Sequence, residues 1–197
     1  HYYKGDYEKA LDYFGRSLVI REELGDKRGM GDSLNNIGNA HYFQGDYEKA
    51  LDYFGRSLAI FEELGVKYGM GDSLNNIGNV YYNKGDLDTA LDYYGRSLAI
   101  KEELGDKRGM GYSLMGIGIV HTNKGDYDKA LDYYGRSLAI KEEIGDKLGM
   151  GVILNNIGNV HYYKGDYEKA EDYIEKSLSI QKEIGVGADD LIWVTPY

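Results

Sequence analysis

The side chains best suited to chemistry in this sequence are its histidines, and His41, His121 and His161 fall on a single spacing of 40 residues. Tyr81 fills the remaining place in that series. A position that accepts tyrosine as readily as histidine reads as a packing position. The spacing does not suit a metal either. Neighbouring helices lie about 8 to 10 Å apart, whereas the ligands of one zinc each sit about 2 Å from the ion. The string Gly29-Met30-Gly31 lacks the third glycine and the preceding strand of a dinucleotide fingerprint, so close helix packing explains it better. Carboxylate pairs such as Glu22 and Glu23 recur at Glu62-Glu63, Glu102-Glu103 and Glu142-Glu143 and read as a solvated face. With no cysteine, disulfides and thiolate metal sites are excluded. No catalytic residue, metal or cofactor is expected, and the chain does not read as an enzyme.

The remaining chemistry is that of amides. The segment NNIGN spans Asn35 to Asn39, Asn75 to Asn79 and Asn155 to Asn159, and a diverged copy, MGIGI, spans Met115 to Ile119. An asparagine side chain offers both a donor and an acceptor, so a row of them can pair with the main chain of an extended peptide whatever its side chains.

Something must hold such a row in register, and the glycines indicate what. Gly5, Gly25, Gly45, Gly65, Gly85, Gly105, Gly125, Gly145, Gly165 and Gly185 recur every 20 residues, and Asp follows all but Gly65 and Gly185. Glycine suits the residue just past a helix end and Asp the N-cap of the next helix. Each 20-residue unit is therefore one helix and one turn. Within a unit, Met30, Leu34, Ile37 and His41 fall on one helical stripe, as do Tyr47, Ala50, Leu51, Phe54, Ser57, Leu58, Phe61 and Leu64. Two amphipathic helices thus repeat with period 40, and such a pair covers its apolar face only by stacking on the next. The fold class is all-α, a solenoid of antiparallel helix pairs without strands.

Composition agrees with this. The chain has 197 residues, 42% of them apolar, and a formal net charge of -10. That charge repels phosphate backbones and anionic lipid, so neither nucleic acid nor membrane is an expected partner. No run approaches the roughly 18 apolar residues that span a bilayer, and a cytoplasmic location fits.

In Gly38, Ala50, Phe54 and Ser57, and again in Gly78, Ala90, Tyr94, Ser97 and Gly118, Ala130, Tyr134, Ser137, the chain resembles the tetratricopeptide repeat (TPR). Gly158 and Ala170 continue the pattern, with Ile174 in place of the aromatic. The 40-residue period is similar to that of Leu-Gly-Asn repeat adaptors, kinesin light chains and bacterial signalling arrays. The resemblance implies a right-handed superhelical solenoid over residues 1–186, with a partial repeat at 1–26, full repeats at 27–66, 67–106, 107–146 and 147–186, and a non-repeat tail at 187–197.

It further implies a protein-interaction scaffold in which the first helix of each repeat lines a concave groove. The ligand-facing positions carry over as Asp32, Asn35, Asn39 and Tyr42, then Asp72, Asn75, Asn79 and Tyr82. Repeat three gives Tyr112, Met115, Ile119 and Thr122, and repeat four gives Val152, Asn155, Asn159 and Tyr162. Tyr112, Met115 and Ile119 break the asparagine row and read either as an apolar anchor site or as drift in one copy. Phe61, Val66 and Tyr68 form a second irregularity, either a contact patch or a local exchange of packing. A carboxylate clamp for chaperone C-termini is not expected, because Asn35, Asn75 and Asn155 stand where its leading lysine would be. The expected partner is a neutral to basic peptide or protein segment with a large apolar residue. Alternatives are a regulatory segment of a larger signalling protein and a self-associating array, joined end to end or through the tail's apolar strip, Leu191 to Val194.

Overall fold

The computed structural model describes residues 4–185; His1 and the tail at 187–197, for which expectations were stated above, lie outside them. The described residues form nine helices and no strand: α1 (Lys4–Glu23), α2 (Lys27–Phe43), α3 (Tyr47–Leu64), α4 (Lys67–Asn83), α5 (Leu87–Leu104), α6 (Lys107–Asn123), α7 (Tyr127–Glu143), α8 (Lys147–Tyr163) and α9 (Tyr167–Ile184). Two compact units contain them, His1–Gly105 with α1 to α5 and Asp106–Tyr197 with α6 to α9. In each unit every helix packs on the next, and the first helices of successive pairs also touch, α2 with α4 and α6 with α8.

The turns follow from Gly-Asp chemistry. Gly25 to Gly185, at intervals of 20, all take a positive φ between 64° and 80°. Gly5 departs from the series and lies inside α1. Asp26, Asp106 and Asp146 accept a hydrogen bond from the backbone N–H three residues on, at 2.9 to 3.0 Å. Val66 caps α4 without any such bond.

Inside each pair the helices approach closely because one of them carries glycine. A Cβ on Gly38 would stand 2.6 Å from the Phe54 ring, and one on Gly78 2.8 Å from Tyr94. One turn away, Ser57, Ser97, Ser137 and Ser177 donate to the carbonyls of Gly31, Gly71, Gly111 and Gly151 at 2.7 to 2.8 Å. All four serines are buried, so each bond satisfies a hydroxyl that would otherwise lose its water.

Phe61 belongs to this interior. It is 1% exposed and fills the space left by Gly31 and Gly69, so at Phe61 the irregularity is an exchange of packing, whereas Tyr68 is exposed. Its counterparts Lys101 and Lys141 are buried just as deeply, with their stems against Gly71 and Gly111. The Lys101 ammonium pairs with Asp72 and lies 4.1 Å from the Tyr68 ring centre. The Gly-Met-Gly strings are thus sites of close packing.

Candidate functional site

Each histidine among the described residues has a structural occupation. His41 stacks on Tyr53, His121 on Tyr133 and His161 on Tyr173, with ring centres 5.4 to 5.5 Å apart; Tyr81 stacks on Tyr93 in the same way. Arg56, Arg96 and Arg136 lie over the rings of Tyr53, Tyr93 and Tyr133, at 5.2 to 5.3 Å from their centres. The Nδ1 atoms of His121, His161 and His41 face Asp126, Asp166 and Asp46 at 3.2, 3.6 and 3.9 Å. Burial lowers the His41 pKa despite the attraction of Asp46. No three His, Asp or Glu side chains converge on a point among the described residues.

The face expected to bind is built differently in the two units. In the unit of α1 to α5, Asp32 is exposed, 3.9 Å from the Arg21 guanidinium. The Asn35 amide bridges to the next pair: its Nδ2 donates to Ser73 Oγ at 3.0 Å, and Ser73 stands 3.2 Å from Asn35 Oδ1. Asn39, Asn75 and Tyr82 are half-buried. Tyr42 packs into the core cluster of Phe54, Ile77 and Val80 while its hydroxyl accepts from Asn83 at 2.8 Å. Asn79 accepts the Tyr94 hydroxyl at 2.7 Å, and burial pushes that phenol far above its ordinary range. Asp72 holds Lys101. Asn35, Asn79 and Asp72 therefore brace the pairs through bonds a ligand would have to share.

In the unit of α6 to α9, Tyr112 stands where Asp72 would be and lies 3.9 Å from the buried Lys141 ammonium, which turns instead to Asp146 at 2.7 Å. Met115 and Ile119 pack against the cluster of Tyr134, Ile153, Ile157 and Val160. Thr122 donates to the Gly118 carbonyl at 3.0 Å. Val152 is buried, so this position, unlike Tyr112 and Asp32, is not offered to a partner. Asn155 and Asn159 are half-buried and Tyr162 is 59% exposed.

The side of α2 opposite its apolar stripe holds Asp32, Asn36, Asn39 and Phe43, of which only Asn39 is not exposed. Asn36 and Phe43 were missed in the sequence. The signal was present: Met30, Leu34, Ile37 and His41 point inward, so the residues two places on point outward.

The chain matches the family model for the tetratricopeptide repeat over residues 1–63, 69–143 and 109–183. A search of curated protein sequences finds no significant match. Among solved structures, BtubC from P. vanneervenii superposes with a TM-score of 0.81 at 21% identity, over 92% of this chain and 76% of that one. A putative kinesin light chain from Podosopora anserina with nearly identical TPR-like repeats gives 0.71 at 13%, over 92% and 89%. A Rap protein complexed with Competence and Sporulation Factor gives 0.81 at 16%, over 91% of this chain and half (50%) of that one. These likenesses show the fold.

Proposed function

Because this chain belongs to the tetratricopeptide repeat family, we propose that it is a non-catalytic scaffold holding a partner segment against the first helices of its repeats. The observation that carries this reading is the open side of α2, where Asp32, Asn36 and Phe43 are exposed on a helix otherwise sealed on both flanks by α1 and α3. A carboxylate, an amide and a ring at helical spacing suit a segment that is neutral to basic and carries one large apolar residue. A similar Rap protein is complexed with Competence and Sporulation Factor, which supports a binding role for this fold. Asn39, Tyr42, Asn75, Asn79 and Tyr82 would flank this contact. In the other unit Tyr112 holds the position of Asp32, and Ile119 and Asn159 hold that of Asn39.

A displayed library of random peptides, selected on the full chain, tests this. Enrichment of peptides with basic residues around a large apolar one is expected, together with weaker calorimetric binding to Asp32→Lys and Asn39→Ala. Selected peptides that bind these variants and the unaltered chain equally well would overturn the assignment of the face.

A further inference from the structure

In the four helix pairs the second helix meets the first through one recurring set of groups. On α3, α5 and α7 the rings of Phe54, Tyr94 and Tyr134 fill the space at Gly38, Gly78 and Gly118, and Ser57, Ser97 and Ser137 donate to a glycine carbonyl of the same partner helix. At the rim Glu63, Glu103, Glu143 and Glu183 hold Lys27, Lys67, Lys107 and Lys147, each the first residue of its helix. α1 carries the same set at the same spacing, in Phe14, Ser17 and Glu23. Among the described residues, however, α1 packs on α2 alone, and the set stays open. Phe54, Tyr94 and Tyr134 are at most 3% exposed, whereas Phe14 is only half-buried. Tyr53, Tyr93 and Tyr133 each stack on a ring of the partner helix, whereas their counterpart Tyr13 is 65% exposed. Ile100 reaches Gly71, whereas its counterpart Ile20 is 55% exposed. Glu23 is exposed and meets no lysine among the described residues.

We propose that this open side of α1 is a docking site for one helix of a separate protein, a helix with lysine at its start and glycines seven residues apart. The glycines admit the Phe14 ring to the partner's backbone, as Gly38 admits Phe54. The lysine meets Glu23 and fixes the direction and register of the helix. Such an exposed pair adds little affinity, which comes from covering Tyr13, Phe14 and Ile20. A second copy of the chain is a poor source, because each such helix among its described residues, α2, α4, α6 and α8, is already held by its own partner helix. The tail at 187–197 contains no lysine to meet Glu23. The site lies on α1 and stands apart from the binding face proposed on α2.

A peptide with the sequence of residues 26–43, stapled helical across its solvent side and labelled with a fluorophore, tests this when titrated with the full chain. Binding is expected. Gly38→Leu in the peptide should weaken it about tenfold or more by overpacking the ring. Glu23→Lys in the chain should weaken it about threefold, in keeping with an exposed ion pair. The Lys27→Glu peptide should reverse that order and bind the Glu23→Lys chain better than the unaltered one. Failure of the unaltered peptide to bind, or binding indifferent to Gly38 and to the exchange of charge, overturns the proposal. So does a chain that dimerises by itself in sedimentation and becomes monomeric on Ile20→Asp, because a second copy then covers α1. None of these arms alters Asp32 or Asn39 of the chain, so their outcome is decided independently of the α2 face.

Discussion

A Cβ built on Gly118 would stand 2.6 Å from the Tyr134 ring, whereas one on Gly135 would meet nothing within 4 Å. Gly118→Ala should therefore destabilise by about 1 to 3 kcal/mol through overpacking. Gly135→Ala, at an exposed place inside α7, should stabilise by about 0.5 to 1 kcal/mol through helix propensity. Urea denaturation of the two variants checks both signs. His41 gives a second prediction. Its pKa in the folded chain is lowered, chiefly by burial, so the unfolded chain binds more protons as pH falls through the ordinary value of about 6.5. Its share of stability is complete above that value and is lost as pH falls through the lowered one. The Asp46 carboxyl, held below its usual range chiefly by Lys49, titrates outside this window. His41→Tyr, which copies the Tyr81–Tyr93 stack, should flatten stability between about pH 7.5 and 5. An unchanged slope would show that His41 is not the group responsible.

At the scale of the helix, burial ranks the apolar stripes. Ile117 on α6 is 5% exposed and Tyr134 on α7 is 2% exposed, so Ile117→Ala and Tyr134→Ala should each cost about 2 to 5 kcal/mol. Leu138 lies on the same stripe but is only half-buried against that cluster, and Leu138→Ala should cost less, about 1 to 2 kcal/mol. Equal losses at all three, measured by chemical denaturation, would mean that α7 is more deeply covered than its contacts indicate. The open side of α2 is the complement of its inward stripe, which is why Asn36 and Phe43 belong to it and Asn35 does not. The family register points to positions 35 and 42, but the helix turns those toward the next pair, where Ser73 and Asn83 occupy their polar atoms.

For the whole molecule the net charge of -10 sets the sign of long-range attraction. Association with a basic selected peptide should slow and weaken as salt rises from about 0.05 to about 0.5 M, because screening shortens the reach of surface charge to a few ångströms. Stopped-flow rates independent of salt would show that charge does not guide the encounter. Nothing in the described helices is long and apolar enough to cross a membrane. The period, the helix pairs and the glycine turns were all legible in the residues, because each depends on chemistry within one turn of helix or one Gly-Asp step. The same holds for Gly38 against Phe54, where a small residue and a ring recur at fixed offset. What the residue string left open was which polar groups are already spent. Asn35 and Asn79 are identical in type to Asn39, yet they bond to Ser73 and to Tyr94. Tyr112 and Met115 read as a ligand's anchor in the residue string, and the fold adds that Tyr112 lies over the Lys141 ammonium and that Met115 packs against the cluster holding Ile153. Those partners lie 15 to 38 residues away along the chain, and only the packing of helix on helix, within a pair or between successive pairs, brings them together. Pattern depends on neighbours in sequence, whereas the use of a side chain depends on neighbours in space.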